Sequence, residues 1–319
     1  WMSHGDHIEK KPDVFFITSL SNNKIISSIE HRNNKIFGLQ FHPEVYHSLE
    51  GKKILSNFLF KICKIKNKFK LENFLSNKIK SLRDDLKKTK VICGLSGGVD
   101  STVTSFLLHK AIKNNLFCIF VDHGMLRLNE SNEVESIFKK KFGKNFIKVN
   151  ASSIFLKKLK NIKDPEKKRK IIGKTFIEVF EKEAKKIKGV QYLAQGTLYP
   201  DIIESIPFFG GPTAKIKSHH NVGGLPKKMN LKIVEPLKEL FKDEVRILGR
   251  NLKINPDLLD RHPFPGPGLA IRIPGEIDKN KINILQRVDN IYIEYLKKNV
   301  LYDKIWQAFA VLLPIKSVG

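Results

Sequence analysis

Residues 91–110, VICGLSGGVDSTVTSFLLHK, set two serines, two glycines and an aspartate between an apolar run and a helical stretch. The turn is Ser96-Gly97-Gly98-Val99-Asp100-Ser101, followed by Thr102. Its glycines let backbone N–H groups come close to an anion, and the N-terminus of the following helix is positive. The two serines add hydroxyl donors. Asp100 would repel a phosphate unless a Mg²⁺ ion bridges them, so it reads as a metal anchor. Asp and Ser also cap helices, but a cap does not need all five of these residues at once. A Walker A loop would carry a lysine for the β- and γ-phosphates. This turn has none, so a different use of the phosphates is expected.

Four other stretches carry chemistry. In Gly38-Leu39-Gln40-Phe41-His42-Pro43-Glu44, His42 could take a thiol proton while Glu44 orients its ring, although such a spacing is more often a surface pair. KRKIIG, 168–173, sets Arg169 and Lys170 where a helix begins. Positive charge is unfavourable there, which points to an anion nearby. The third stretch runs from LAQGTLYPDIIES (193–205) to KSHHNVGGLP (217–226). Its adjacent His219 and His220 diverge too much for a metal pair, so a phosphate or ribose contact is expected instead. The fourth, Arg261 to Gly268 (RHPFPGPG), packs three prolines and two glycines into eight residues. It can be neither helix nor regular strand. A stiff loop of this kind suits a flat base, with a domain linker as the bland alternative.

The elements that must position these residues alternate. Strands are expected at 90–95, 116–121, 146–150, 191–194 and 231–234, and helices at 76–88, 101–113, 131–142 and 168–187. Runs such as FCIFV imply a parallel sheet covered on both faces. The turns after Leu95, Val121 and Ala194 should then face one crevice at the carboxyl ends of the strands. Earlier, 13–20, 24–29 and 35–41 read as short strands and 50–63 as helical, with a lysine-rich linker at 61–74. Later, 269–273 and 308–313 read as strands around a helix at 277–298.

Composition excludes some classes. No run of about 18 apolar residues appears, so no membrane partner is expected. The three cysteines, Cys63, Cys93 and Cys118, are odd in number and lack C-x-x-C spacing. They argue against a disulfide framework or a zinc site and for a reducing, cytoplasmic setting. The net charge of +26 invites a nucleic-acid reading. Only nine of the 58 basic residues are arginine, however, and lysine is spread along the chain with abundant Asn, Ile and Phe. AT-rich codons account for that pattern, so no specific nucleic-acid partner is expected.

The turn at 96–101 resembles the pyrophosphate loop of the N-type ATP pyrophosphatases, where pyrophosphate leaves and the adenylate passes to an acceptor oxygen. GLQFHPE, with WMSHGD at 1–6, resembles the closing motifs of class I glutamine amidotransferase domains. Together with AQGTLYPD, KSHHNVGGLP and HPFPGPGL, in this order over essentially all 319 residues, they resemble the glutamine-hydrolysing GMP synthetase family.

The resemblance implies an α/β fold, with a doubly wound parallel-sheet ATP pyrophosphatase domain at 69–261. A partial amidotransferase domain at 1–68 would precede it, and the start of a dimerisation domain at 262–319 would follow and form a homodimer. ATP would lie on Ser96, Gly97, Gly98, Val99, Asp100, Ser101 and Thr102, with Asp122, Gly196, Thr197 and Asp201 bordering the crevice. Mg²⁺ would sit on Asp100. Xanthosine monophosphate (XMP) or pyrophosphate would meet Arg169, Lys170, His219, His220, His262, Pro263, Gly266 and Gly268. The nitrogen would come from glutamine or ammonia.

Two departures stand out. No cysteine precedes His42 to serve as its nucleophile, and the family's last domain continues past LLPIKSVG. The chain is therefore expected to be an internal piece of a longer enzyme. An RNA-modifying pyrophosphatase would explain the charge but not GLQFHPE or HPFPGPG. A catalytically dead nucleotide-binding remnant is the remaining alternative.

Overall fold

The computed structural model describes residues 5–45, 47–66, 71–205 and 231–315. It separates into two compact units, Trp1–Lys70 and Leu71–Gly319.

The first unit holds an antiparallel sheet of β1 (Phe15–Leu20), β2 (Ile26–His31) and β3 (Phe37–Leu39), in that order. Helix α1 (Gly51–Asn57) follows and loosens into a π-helical turn at Phe58–Ile62. Among its described residues Ile26 is the one buried hydrophobic side chain.

The second unit is built on five parallel strands in the order β6-β5-β4-β7-β8. These are β4 (Lys90–Leu95), β5 (Leu116–Asp122), β6 (Phe146–Asn150), β7 (Val190–Ala194) and β8 (Lys232–Val234). Side chains alternate across each strand, and here both faces are covered. Val91, Cys93 and Leu95 join a core shared with α2 (Leu71–Leu86), α3 (Val99–Ile112), α4 (Glu130–Phe142) and α8 (Lys242–Asn251). Ile92, Ile119 and Val121 face the other core, with α5 (Ser152–Leu159) and α6 (Pro165–Ala184). Each fully buried Leu, Ile, Val or Phe in these layers contributes about 1.5–3 kcal/mol. Cys93 and Cys118 are register partners on β4 and β5, and both are buried, whereas Cys63 is exposed.

Helix starts follow their sequence signals. Asp164 accepts the Lys167 N–H at 2.7 Å, with Pro165 at the first helical position of α6. Asp278 caps α10 (Lys279–Lys298) through the Lys281 N–H in the same way.

Residues 269–273 are not the expected strand: Gly268–Arg272 form a short 3₁₀ helix. Nor do residues 308–313 pair in a ladder. The Ala310 N–H goes to the Asp289 carboxylate and the Leu312 N–H to the Arg272 carbonyl, so side-chain and single backbone bonds replace sheet pairing. Four short helices were not anticipated: α5, α7 (Tyr199–Ser205), α8 and α9 (Pro256–Leu259). Leu269, Ala270, Ile273, Ile282 and Leu285 enter the second core, which brings the segment after Arg261 into the same compact unit. Among the described residues no helix is long and apolar enough to cross a membrane.

Candidate nucleotide site

Strands β4, β5 and β7 are neighbours and run parallel, so the segments leaving their carboxyl ends lie side by side. The turn after β4 is shaped by its own hydrogen bonds. Ser101 Oγ accepts the Ser96 N–H at 3.2 Å, lies 3.0 Å from Ser96 Oγ and donates to the Gly98 carbonyl at 3.1 Å. Ser96 Oγ accepts the Gly98 N–H at 3.2 Å, and Thr102 Oγ1 donates to the Gly98 carbonyl at 2.8 Å. Gly97 has φ +77°, a conformation that costs other residues energy. Val99 is buried and starts α3, aiming the positive helix end at the turn.

Asp100, in the first turn of α3, is half-buried and paired. Both its oxygens accept from Lys242 Nζ, at 2.7 and 2.5 Å. Lys242 is the first residue of α8, 142 positions further along the chain. A lysine from a distant part of the chain thus pairs with the aspartate of the turn. Sequence reading missed it, although one signal was present: a lysine in the first turn of a helix opposes the macrodipole and needs an anion to offset it.

The neighbouring candidates are brought to this end of the sheet with different duties. A Cβ on Gly196 would lie 3.0 Å from the Asp100 backbone, so the segment leaving β7 packs flush against the start of α3. Thr197 Oγ1 donates to Glu235 Oε1 at 2.7 Å. Asp201 accepts the Leu198 N–H at 2.8 Å, at the start of α7. Asp122 accepts the Gly124 N–H at 2.9 Å and the Ser131 hydroxyl at 2.5 Å, which fixes the turn into α4.

The proline-rich loop docks onto that same turn. Gly268 has φ +64°, and a Cβ there would fall 2.2 Å from the Met125 carbonyl oxygen. That oxygen accepts the Leu269 N–H at 2.8 Å. Arg127 Nη2 donates to the His262 carbonyl at 2.9 Å, and its guanidinium lies 4.2 Å over the Phe264 ring. His262 is buried and turned towards Tyr302, with ring centroids 3.7 Å apart and nearly parallel planes. Its Nδ1 accepts the Ala308 N–H at 3.1 Å, so its Nε2 must donate to the Tyr302 carbonyl at 2.9 Å. Pro263 offers its carbonyl to Gln307 Nε2 at 3.4 Å, and Gly266 is exposed. His123, next to Asp122, is buried, and loss of solvation pushes its pKa down to about 4. Its Nδ1 accepts the Met125 N–H at 3.1 Å.

At the start of α6, Arg169 grips Glu166 with two 2.8 Å bonds, and Lys170 is exposed with Nζ 3.8 Å from the same carboxylate. Lys168 is the one turned inward, donating to the Ile273 carbonyl at 2.6 Å. His219 and His220 lie outside the described residues. Burial pushes the Cys93 thiol up to about 12, so it is inert at neutral pH.

In the first unit, His42 Nδ1 lies 2.8 Å from Glu44 Oε1, and the Ser48 hydroxyl donates to the His42 carbonyl at 2.5 Å. The Glu44 carboxyl sits below its usual range, first through its own backbone hydrogen bond and then through His42. Both side chains are exposed.

The family model for class-I glutamine amidotransferases matches residues 1–62, and that for NAD synthases matches residues 69–174. With the parallel sheet and the lysine-free turn, these matches define an NAD synthase-like ATP pyrophosphatase unit that follows a class-I amidotransferase segment. Along its whole length the chain is similar to proteins named as glutamine-hydrolysing GMP synthases. It is 53% identical over 319 residues to one from Zymomonas mobilis subsp. mobilis (100% of this chain, 61% of that protein). The values are 57% and 63% for one from Petrotoga mobilis, and 54% and 62% for one from Aquifex aeolicus, each again over all of this chain. The chain spans about three fifths of the length of these curated relatives. A solved NMN synthetase from Francisella tularensis aligns over 74% of this chain and 94% of its own, at 13% identity and TM-score 0.48. That likeness is too distant to carry a functional argument.

Proposed function

We propose that this chain carries the ATP-dependent amination of XMP to GMP, with glutamine-derived ammonia in the longer protein. The observation that carries the reading is the full-length match to relatives named GMP synthase, which includes the lysine-free turn and the proline-rich loop docked beside it. ATP would lie on Ser96–Thr102, its phosphates meeting the backbone N–H groups and the start of α3. The XMP 2-oxygen attacks the α-phosphorus as the bond to the β-phosphate breaks, and pyrophosphate leaves. Ammonia then adds at C2, and AMP leaves with the oxygen. His262 holds the acceptor loop through Tyr302 and Ala308 in this reading, and exposed Gly266 leaves backbone open to the acceptor. A homodimer, and His42 with Glu44 serving a thiol not contained in this chain, belong to the same proposal.

Among the described residues no cluster of three His, Cys, Asp or Glu side chains could hold a metal alone. Asp100 nonetheless fits Mg²⁺, because that ion takes one or two carboxylates and fills its shell from phosphates and water. Lys242 would turn from Asp100 to the β- and γ-phosphates as they arrive, while bound Mg²⁺ would neutralise charge on pyrophosphate.

The test is AMP and GMP formation with ammonium or glutamine as sole nitrogen donor. Ammonium should support synthesis, increasingly at alkaline pH where NH₃ is free. Glutamine should give none with this chain alone, since triad members act as a unit. Asp100→Ala and Lys242→Met should each weaken Mg²⁺–ATP roughly tenfold to a hundredfold while sparing AMP, as expected for lost charge-assisted contacts. No AMP or GMP with either donor, together with no ATP binding, overturns the proposal.

A further inference from the structure

Glu130 sits at the first position of α4 and is 3% exposed. Its Oε2 accepts the Arg127 N–H at 3.0 Å. Its Oε1 lies 3.7 Å from Arg127 Nη1 and 3.6 Å from Arg261 Nη1. The same Oε1 would be 3.2 Å from a Cβ on Gly97, so the carboxylate lies directly against the phosphate turn. Its two arginine neighbours both reach the other loop. Arg261 opens the proline-rich stretch and is anchored further on Glu133 at 2.7 Å, and Arg127 holds the His262 carbonyl and stacks on Phe264.

A buried carboxylate is tolerated when charged and backbone donors surround it. Here those donors also make a short rigid path from one substrate loop to the other. A shift of the turn around Gly97 must move Glu130 or compress against it, and a shift of Glu130 must drag both arginines.

We propose that Glu130 is a positioning residue that couples occupancy of the phosphate turn to the shape of the proline-rich loop. This rests on the reading above that the two loops hold ATP and XMP. Reciprocity then requires each nucleotide to tighten the other by the same factor.

The test measures binding of α,β-methylene ATP with Mg²⁺ in the presence and absence of XMP, and the converse titration. The wild-type chain should show equal mutual enhancement of about five- to a hundredfold. Glu130→Gln, of nearly equal size, should bring the factor to about one while each nucleotide alone binds within roughly threefold of wild type. Arg261→Gln should also bring the factor to about one, whatever it does to XMP binding alone, because it cuts the same path at the other end. A variant that keeps the full factor, a wild type without enhancement, or a parallel fall in both affinities with the factor intact overturns the proposal. Amide exchange without ligand provides a second readout, since Glu130→Gln should raise exchange at 96–98 and at 261–268 together. A rise at one loop alone refutes the strut. A chain that binds neither nucleotide fails the functional reading instead, and the exchange result then decides on Glu130.

Discussion

The two units place their candidate residues by opposite means. In the first, Phe16, Ile17 and Leu20 on β1, Phe37 and Leu39 on β3, and Phe58 and Leu59 after α1 are all exposed. The His42–Glu44 pair there is set by hydrogen bonds between neighbouring residues. In the second, Leu95, Phe120, Val134 and Phe138 are at most 2% exposed and brace the turn from below. A pair of polar side chains can be set by three or four neighbouring residues. A phosphate turn cannot, because its direction is set by the strand that enters it and the helix that leaves it, so a core has to hold both. Within this chain the first unit therefore carries the smaller core of the two.

The largest test of this contrast is native-state amide exchange. Amides of β4 and β5 should outlast those of β1–β3 by on the order of a thousandfold, because only the former lie under a continuous core. Comparable protection in both sheets would dissolve the distinction. Next, Phe138→Ala should lower stability by about 3–5 kcal/mol, whereas Phe16→Ala should cost less than about 1 kcal/mol. Denaturant titration of the two variants reads that ratio.

His123 sharpens the comparison by pH. Its folded pKa of about 4 lies below the ordinary 6.5, so the unfolded chain binds a proton that the folded one refuses. Its contribution is fully present above about pH 6.5 and is lost as pH falls towards 4, amounting to about 3 kcal/mol at most. In His123→Asn the amide oxygen can still accept the Met125 N–H, so that acid limb should flatten for the second unit. An unchanged limb would place the proton uptake elsewhere. The smallest effect is expected at Glu44→Gln, which should leave the thermal transition where it was, because both partners of its ion pair are exposed.

Much of the second unit was legible. The apolar runs of β4 and β5 and the glycine turn after Leu95 give strand, turn and helix without ambiguity, and five expected strands appear in one parallel sheet. The strand readings failed where an apolar run is short, because such a run does not reveal its partners. LAIRI follows Pro267 and a positive-φ Gly268, and that tight entry winds it into a 3₁₀ turn. FAVLL stays extended but gives its N–H groups to Asp289 and Arg272. Lys242 and Glu130 escaped notice for a related reason. Each acts on a residue far away in sequence, and neither has a local pattern that names its partner. His262 was legible as part of a special loop, but the sequence does not disclose that both its ring nitrogens are occupied.

The cysteines turn the molecule into its own stopwatch. Cys63 is exposed, while Cys93 and Cys118 lie opposite each other inside the parallel sheet. A thiol reagent added to the native chain should therefore tag one site at once and then stall. Each later tag has to wait for β4 and β5 to part, so the interval between the first tag and the other two reports the lifetime of the sheet that carries the phosphate turn. Because nucleotide on that turn would hold the strands together, the same interval, read by mass, should lengthen when ligand is present.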